Sequence, residues 1–157
     1  TAKYLNDGLF TVQDFTLPWE YVDANEDQKG TTITLTWDTP VEIKSFIIYN
    51  SQNYFYAFDK VDLVRFKLAE KPAWYNLKDY NDYCYIENLE CNPENVEGND
   101  FFMRQGGGAL ASFDNIKVTE MTIHINSKYT TEAEELDGSL NYAIHVSDIF
   151  VMGKEVK

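Results

Sequence analysis

The sequence has little positive charge and no long apolar run. Lys and Arg number 13 against 26 Asp and Glu, which gives a formal net charge of -13 at pH 7. Nucleic acid and anionic membrane surfaces both require basic patches on a protein, so this balance argues against both kinds of partner. No run approaches the ~18 to 20 apolar residues that a membrane-spanning helix needs.

The start of the chain also lacks the charged, apolar and small-residue pattern of a signal peptide. The first residues, TAKYLNDG, contain no initiator Met, which favours a mature or excised fragment of a larger protein. A chain of 157 residues is long enough to bury one core, and no linker or repeat divides it. We therefore expect a single domain over residues 1–157.

Cysteine and histidine are scarce, with Cys84, Cys91, His124 and His145 as the complete set. Two thiols alone cannot form a structural zinc site. A disulfide between them would close a short loop and stabilise the fold by ~2 to 3 kcal/mol. Two reduced thiols are the alternative. Each histidine lies between apolar neighbours, at a position that alternation places on the outward face of a strand, which is typical of an ordinary surface residue.

Catalytic motifs are absent or incomplete. The chain has no G-x-S-x-G nucleophile elbow. The glycines at 106–108 lack the Lys-Ser/Thr of a phosphate loop and precede a strand, so we interpret them as a turn or bulge that allows close approach to a neighbouring strand. A carboxylate pair for glycoside hydrolysis stays open, because 26 acids provide some pair at almost any separation. The sequence therefore predicts a protein without catalytic activity.

What is present is the two-residue period of β-strands. We predict strands at Thr31–Trp37, Val41–Asn50 and Val61–Leu68, then two successive strands within residues 109–126. A final pair within residues 142–153 changes phase at Ser147-Asp148, which indicates a bulge. Helical periodicity is weak, with Thr130–Gly138 as a candidate for one or two turns. The pattern predicts an all-β antiparallel sandwich or barrel.

Aromatic residues are abundant, at 15% of the chain. The stretch from Ile47 to Phe58, IIYNSQNYFYAF, begins as a strand and continues into amides and consecutive rings. Sugar rings stack on aromatic faces while amides bind hydroxyl groups. Consecutive extended residues alternate faces, so these rings cannot all enter one core. We predict that Phe58 is buried and that the ligand-binding residues are Asn50, Gln52, Asn53, Tyr54 and Tyr56.

A second aromatic loop, Asn99–Gly108, adds Phe101 and Arg104 to the candidate ligand-binding residues. Both loops have an alternative interpretation, in which the rings fold inward as a lid over the core. A separate pair, Asp7 in the NDG turn and Asp148 near the last strand, could share a cation if the first and last elements are neighbours. The alternative for this pair is a turn-capping Asp and a bulge Asp.

The layout resembles the coagulation factor V/VIII type C, or discoidin, domains of the galactose-binding-like β-sandwich group, which includes bacterial carbohydrate-binding modules. The resemblance extends from Tyr4 to Lys154 and rests on the order of LNDG, TTITLTW, PVEIKSFIIYNS, FDNIKVTEMTIHI and IHVSDIFVMGK. It implies a jelly roll whose end loops bind the ligand, and a structural Ca²⁺. The segment LFTVQDFTLPWEY after the D-G, and Asp148 where Glu is commoner, depart from the family pattern for that ion. The terminal cysteine pair of animal members is absent.

We therefore expect a non-catalytic carbohydrate-binding module that binds a glycan or polysaccharide. Its expected location is extracellular, secreted or at the surface of a bacterium, with neighbouring domains of a parent protein as further partners. Two alternatives stay open. One is a structural or protein-interaction module whose rings pack against a companion domain. The other is a small hydrolase that uses two carboxylates.

Overall fold

The computed structural model describes residues 21–25, 29–51, 58, 60–71, 73–80, 85–89, 108–126 and 143–156. Most of them lie in strands, and one short helix is present in these ranges. In chain order the elements are β1 (Tyr21–Asp23), β2 (Thr31–Asn50), β3 (Lys60–Leu68), β4 (Trp74–Asn76), α1 (Leu77–Tyr80), β5 (Tyr85–Leu89), β6 (Gly108–Asn126) and β7 (Ile144–Glu155). No helix in these ranges is long and apolar enough to cross a membrane.

The strands form one hydrogen-bonded sheet of seven, in the order β1-β7-β2-β6-β3-β4, with β5 also paired to β6. Each pairing is antiparallel. The predicted all-β antiparallel class is therefore confirmed. The helix α1 was not predicted, and the predicted helical turn at Thr130–Gly138 lies outside the described residues.

Strands β2 and β6 are long, with 20 and 19 residues, and form the centre of the sheet. The prediction of separate strands at Thr31–Trp37 and Val41–Asn50 is wrong, because both lie in the single strand β2 and the break after Trp37 is only a shift of its register with β6 between Thr36 and Val41. The predicted final pair is likewise the single strand β7. The prediction of two successive strands within residues 109–126 is wrong. That segment is one strand, and the irregularity near Asp114 is a bulge between the pairs Ser45–Ser112 and Ile43–Ile116.

The predicted bulge at Ser147-Asp148 is confirmed. Strand β7 pairs Asp148 with Tyr49 and then Val146 with Asn50, so Ser147 is the extra residue of β7 between two adjacent residues of β2. Both Ser147 and Asp148 are buried, together with the residues on either side of them. A bulge turns neighbouring side chains toward the same surface, which explains four consecutive buried positions in a strand.

The core is a single cluster of buried side chains drawn from both halves of β2 and β6 and from β3 and β7. Inward residues alternate with outward ones, as in β6, where Met121 and Ile123 are buried and Thr122 between them is not. Ile33 and Ile43 are inward residues from the two halves of β2. The largest fully buried side chains in the described ranges include Phe46, Phe58, Phe66, Ile48, Leu77 and Met121. Both halves of the long strands β2 and β6 contribute to this one cluster.

Two glycines allow the central strands to approach closely. A Cβ at Gly108 would lie 2.0 Å from the carbonyl oxygen of Ile48, and a Cβ at Gly153 would lie 2.2 Å from that of Glu42. Either contact is far inside van der Waals distance, so a side chain at these positions would force β6 or β7 away from β2. The interpretation of Gly108 as a residue of close approach is confirmed.

The connection from β1 to β2 is organised by Asp23. Its carboxylate accepts hydrogen bonds from the hydroxyl of Thr31 at 2.7 Å and from the backbone N–H of Asn25 at 2.8 Å. The Tyr21 hydroxyl donates to the same carboxylate at 3.4 Å. Burial raises the pKa of Tyr21 above its usual value of 10.0, a hydrogen bond with Thr31 opposes this, and the charge of Asp23 raises the pKa further.

Candidate functional site

Asn50 closes the loop that follows the central strand. Its side-chain Nδ2 donates to the carbonyl oxygen of Phe58 at 2.8 Å, and its Oδ1 accepts from the backbone N–H of Phe58 at 2.8 Å. A side-chain amide that binds both backbone groups of one residue replaces a strand-pairing partner for that residue. These bonds hold Asn50 and Phe58 side by side, with the seven residues 51–57 between them in the sequence.

Phe58 is only 1% exposed, so the prediction that it lies in the core is confirmed. Asn50 is 6% exposed. Its amide is bonded to the backbone of Phe58, because a buried amide must satisfy its donors and acceptors internally. This geometry gives Asn50 a positioning role, and its contact with a ligand stays a prediction.

The other predicted ligand residues lie outside the described ranges: Gln52, Asn53, Tyr54, Tyr56, Phe101 and Arg104. Their role in binding stays a prediction. Cys84 and Cys91 also lie outside these ranges, so the question of a disulfide is not addressed.

Asp148, one of the two predicted metal ligands, is fully buried in the bulge of β7. Its Oδ1 accepts the backbone N–H of Ile149 at 2.7 Å, which is the role expected of a bulge Asp. Asp7 lies outside the described residues. Within the ranges that the structure describes, no group of three or more His, Cys, Asp or Glu side chains is placed to hold a metal ion. A buried carboxylate suits Ca²⁺, but the site depends on ligands beyond these ranges, and the ion stays a prediction.

A groove of about 240 Å³ lies where β2 separates from β6, between Thr36 and Val41. It combines one large aromatic ring with an aliphatic surface and two charged side chains. This mixture is typical of small-molecule sites, although the volume lies below the ~300 to 1,000 Å³ of drug-sized pockets. The described lining residues are Trp37, Val41, Ile43, Val151, Gly153, Lys154 and Glu155.

The outer surface of the sheet is polar on the β3–β4 side. Cross-strand register places its side chains in two rows that each span four strands. None of these side chains is buried. We call this surface the outer polar face; its rows are Thr34, Thr122, Arg65 and Asn76, and Thr36, Glu120, Lys67 and Trp74.

Trp74 is the centre of a cationic cluster on this face. The Lys67 Nζ lies 4.9 Å and the Arg65 Cζ 5.5 Å from the centroid of its ring, within the range of cation–π attraction. Lys67 also forms an ion pair with Glu120 at 2.6 Å. Trp74 lies on β4, at the end of the strand order, so the cluster marks one edge of the sheet.

The histidines fit the surface role predicted for them. Neither is buried, and His124 pairs through Nδ1 with the carboxylate of Asp62 on β3. Each side chain in this pair is about 30% exposed or less. The cross-strand neighbour of His124 on β2 is Thr32, whereas the side-chain partner that the structure gives His124 is Asp62. This geometry gives no new argument for a triad.

Sequence reasoning missed the Trp37 groove and the outer polar face. The signal for the groove was Trp37 at the end of an alternating strand, followed directly by the strand-breaking DTP. The signal for the face was the alternation Arg65, Lys67 in β3, which places both cations on one side. Their pairing with Trp74 depends on the β3–β4 register, which no local pattern specifies.

Comparisons with known proteins support the fold only. No protein-family model matches the chain, and no curated protein matches it. A two-domain protein of unknown function from Bacteroides fragilis is similar in structure, with a TM-score of 0.53 and 14% identity. The match covers 96% of this chain and 37% of that one, so this chain spans little more than a third of that protein's length.

A second similar structure is a fragment from Bacteroides thetaiotaomicron that is provisionally named a chitobiase. It has a TM-score of 0.48 and 9% identity, and the match covers 82% of this chain and 65% of that one. At these identities the similarity describes backbone arrangement and carries no statement about ligand or activity.

Proposed function

We propose that this chain is a non-catalytic glycan-binding module, a discoidin-like domain with a galactose-binding-like jelly-roll sandwich fold, that works outside the cell as a domain of a larger protein. Both halves of β2 and β6 contribute side chains to a single core. This supports the sandwich fold, because a sheet that folds over one core packs two layers against each other. The order of motifs from LNDG to SDIFVMGK supports the family.

The observation that carries the glycan proposal is the Asn50–Phe58 clamp. It fixes both ends of the 51–57 loop, and it directs Phe58 into the core. Tyr54, Phe55 and Tyr56 lie between these two points in the sequence, and we expect at least one of their rings to face solvent, because consecutive extended residues alternate faces. Rings and amides on a loop whose ends are held in place would bind sugars at low entropic cost.

A second candidate function is docking to a companion domain, and one observation favours it. Side chains on the outer surface of the β2–β7 side are apolar, and two of them, Phe150 and Met152, are 40% and 37% exposed. Tyr49 contacts Phe150 edge-to-face, with ring centroids 5.9 Å apart. We call this surface the outer apolar face; it consists of Ile47, Tyr49, Leu110, Phe150 and Met152.

A glycan array with the isolated domain, followed by titration of three variants, tests the proposal. We expect Tyr54→Ala or Tyr56→Ala to weaken glycan binding about tenfold or more while the thermal midpoint hardly changes, because an exposed ring contributes little to the core. Phe150→Ala is the matched control and should leave glycan binding intact. Trp37→Ala reports whether the groove contributes to binding.

The absence of binding to any plant, host or microbial glycan at millimolar concentration would refute the glycan proposal. Docking to a companion domain would then be the better explanation of the exposed rings.

A further inference from the structure

The outer polar face contains a cation that the described acids leave uncompensated. Lys67 is paired with Glu120, but no described carboxylate lies within ion-pair distance of Arg65. In a chain with a net charge of -13, acidic partners are plentiful. A guanidinium that rests on an indole instead of an acid is therefore a feature to be explained.

The geometry of Arg65 limits what it can bind. Its Nε is buried and has no hydrogen-bond partner among the described groups, while the side chain as a whole is partly exposed. The contact with Trp74 holds the guanidinium 5.5 Å from the ring centroid. The terminal amino groups are thus the donors left for a partner, and they belong to a group already oriented by packing.

A guanidinium oriented in this way matches a carboxylate, because its two terminal nitrogens can donate in parallel to the two carboxylate oxygens. Trp74 is half-buried and carries both cations over its ring, so the part of the indole that stays exposed adds apolar surface beside the guanidinium for the carbon atoms of a pyranose. Thr122 and Asn76 lie in the same row as Arg65. Thr122 offers a hydroxyl for sugar hydroxyl groups, whereas the Nδ2 of Asn76 donates to the carboxylate of Asp79 at 2.7 Å, which leaves its side-chain oxygen as an acceptor. These are the ingredients for one acidic sugar residue.

We propose that Arg65 and Trp74 form a binding subsite for a carboxylate-bearing sugar of the uronic acid class, separate from the 51–57 loop. This inference rests on the proposed glycan-binding function and adds the chemical class of one of its ligands. The site lies on the outside of the β3–β4 edge, whereas the Asn50–Phe58 clamp lies at the end of β2 beside β7.

The overall negative charge of the chain restricts the length of the ligand. A long polyanion would be repelled by the acidic surface, but the Debye length is only ~8 Å at physiological ionic strength. A short acidic oligosaccharide therefore responds mainly to Arg65, because the charge of Lys67 is already paired with Glu120. We expect di- to tetrasaccharides to bind better per residue than long polyuronates, and this difference should grow at low salt.

Titration with a trigalacturonate and with its methyl ester tests the subsite, because the two probes differ only at the carboxylates, which the ester converts to neutral methyl esters. The domain should bind the acid at least fivefold more tightly than the ester. Arg65→Met keeps the apolar stem against Trp74 and should remove that preference with a loss of about tenfold for the acid. Arg65→Lys keeps the charge without the fork and should lose about threefold.

Lys67→Met is the matched control, because Lys67 is already paired with Glu120, and it should change acid binding by less than twofold. Equal affinity for acid and ester, or an Arg65→Met variant that keeps the preference, would overturn the subsite. Tighter binding of a trisaccharide that carries sulfate groups instead of carboxylates, compared with the trigalacturonate, would overturn the carboxylate assignment. Thermal melts confirm that each variant is folded.

The same titrations separate this inference from the proposed function. A domain that binds neutral glycans through Tyr54 or Tyr56 but shows no preference for the acid would contradict the subsite alone. A domain that binds the acid through Arg65 but is unaffected by Tyr54→Ala and Tyr56→Ala would contradict the loop as the glycan site and support the subsite. A domain that binds neither probe nor any array glycan would contradict both.

Discussion

The long strands β2 and β6 carry different chemistry on their outer surfaces at their two ends. At the end where β6 lies between β2 and β3, the outward residues are polar, as in Thr34, Thr122 and Glu120. Where they pair with each other beside β7, the outward residues include Ile47 and Leu110. The inner surface is apolar at both ends and supplies one core.

This difference shows that alternation specifies the inside of such a sheet more strongly than the outside. Burial requires apolar residues at the inner positions, whereas the residue types at the outer positions depend on whether that surface contacts solvent, a ligand or another protein. The outer polar face carries Arg65 and Trp74 in its two rows, whereas the outer apolar face exposes Phe150. The register shift between Thr36 and Val41 separates the two regions.

The largest effect should separate inner from outer rings. Phe58→Ala should destabilise the domain by ~3 to 5 kcal/mol, because the ring is buried and its removal leaves a cavity. Phe150→Ala should cost about 1 kcal/mol or less, because the ring is partly exposed and loses mainly its edge-to-face contact with Tyr49. Urea denaturation measures both. Similar losses in the two variants would mean that the outer apolar face is covered in the folded domain.

The next effect concerns the clamp that borders the apolar region. Asn50→Ala removes two buried hydrogen bonds and leaves the N–H and carbonyl of Phe58 unpaired, so we expect a loss of roughly 2 to 4 kcal/mol. Asn50→Asp is a second probe, since it keeps the acceptor but replaces the donor with a carboxylate oxygen that faces the Phe58 carbonyl, and this buried charge should cost at least as much as the alanine change. Denaturation of the two variants provides the comparison. A loss below about 0.5 kcal/mol for Asn50→Ala would show that the clamp does not hold the loop.

Asp148 is the buried carboxylate of the otherwise apolar β7 side, and it allows the calcium prediction to be tested. If a Ca²⁺ joins Asp7 and Asp148, Asp7→Asn should lower the thermal midpoint more in calcium than in chelator, since only the folded state binds the ion. Differential scanning calorimetry in both buffers gives the result. An equal loss in the two buffers would identify Asp7 as a turn residue without a metal.

The smallest effect is expected at Tyr21. Its pKa is raised in the folded state, so the stabilisation from the neutral hydroxyl is complete below pH 10.0 and is lost as the pH rises through the folded-state pKa. Stability measured from pH 9 to pH 11 should therefore fall less steeply in Tyr21→Phe than in the unchanged chain. The same slope in both proteins would show that Tyr21 does not contribute to alkaline unfolding.

The sequence predicted the parts of the fold that depend on local pattern. Alternation located β3, and the polar pair Ser147-Asp148 marked the bulge of β7. It divided β6 wrongly because Asp114 and Asn115 are typical of turns, whereas here they lie in a bulge opposite β2. The local sequence alone does not distinguish a turn from a bulge, since the difference depends on whether the partner strand continues.

The candidate site was predicted less completely than the fold. The stretch from Ile47 to Phe58 indicated a loop with rings, and the burial of Phe58 followed from its position before β3. The bracing role of Asn50 could not be read from the sequence, because an amide can face a ligand or a backbone equally well. The cluster around Trp74 depends on a pairing between β3 and β4 that only the folded register shows.

Chemical-shift mapping by NMR during titration with a neutral oligosaccharide selected on the array tests the glycan-binding loop most directly. We predict that the amide signals of Ser51 and of residues 52–57 shift with ligand concentration, while those of Phe150 and Met152 do not change. Shifts confined to the outer apolar face, or no shifts at millimolar ligand, would contradict the claim that the clamped loop binds glycans.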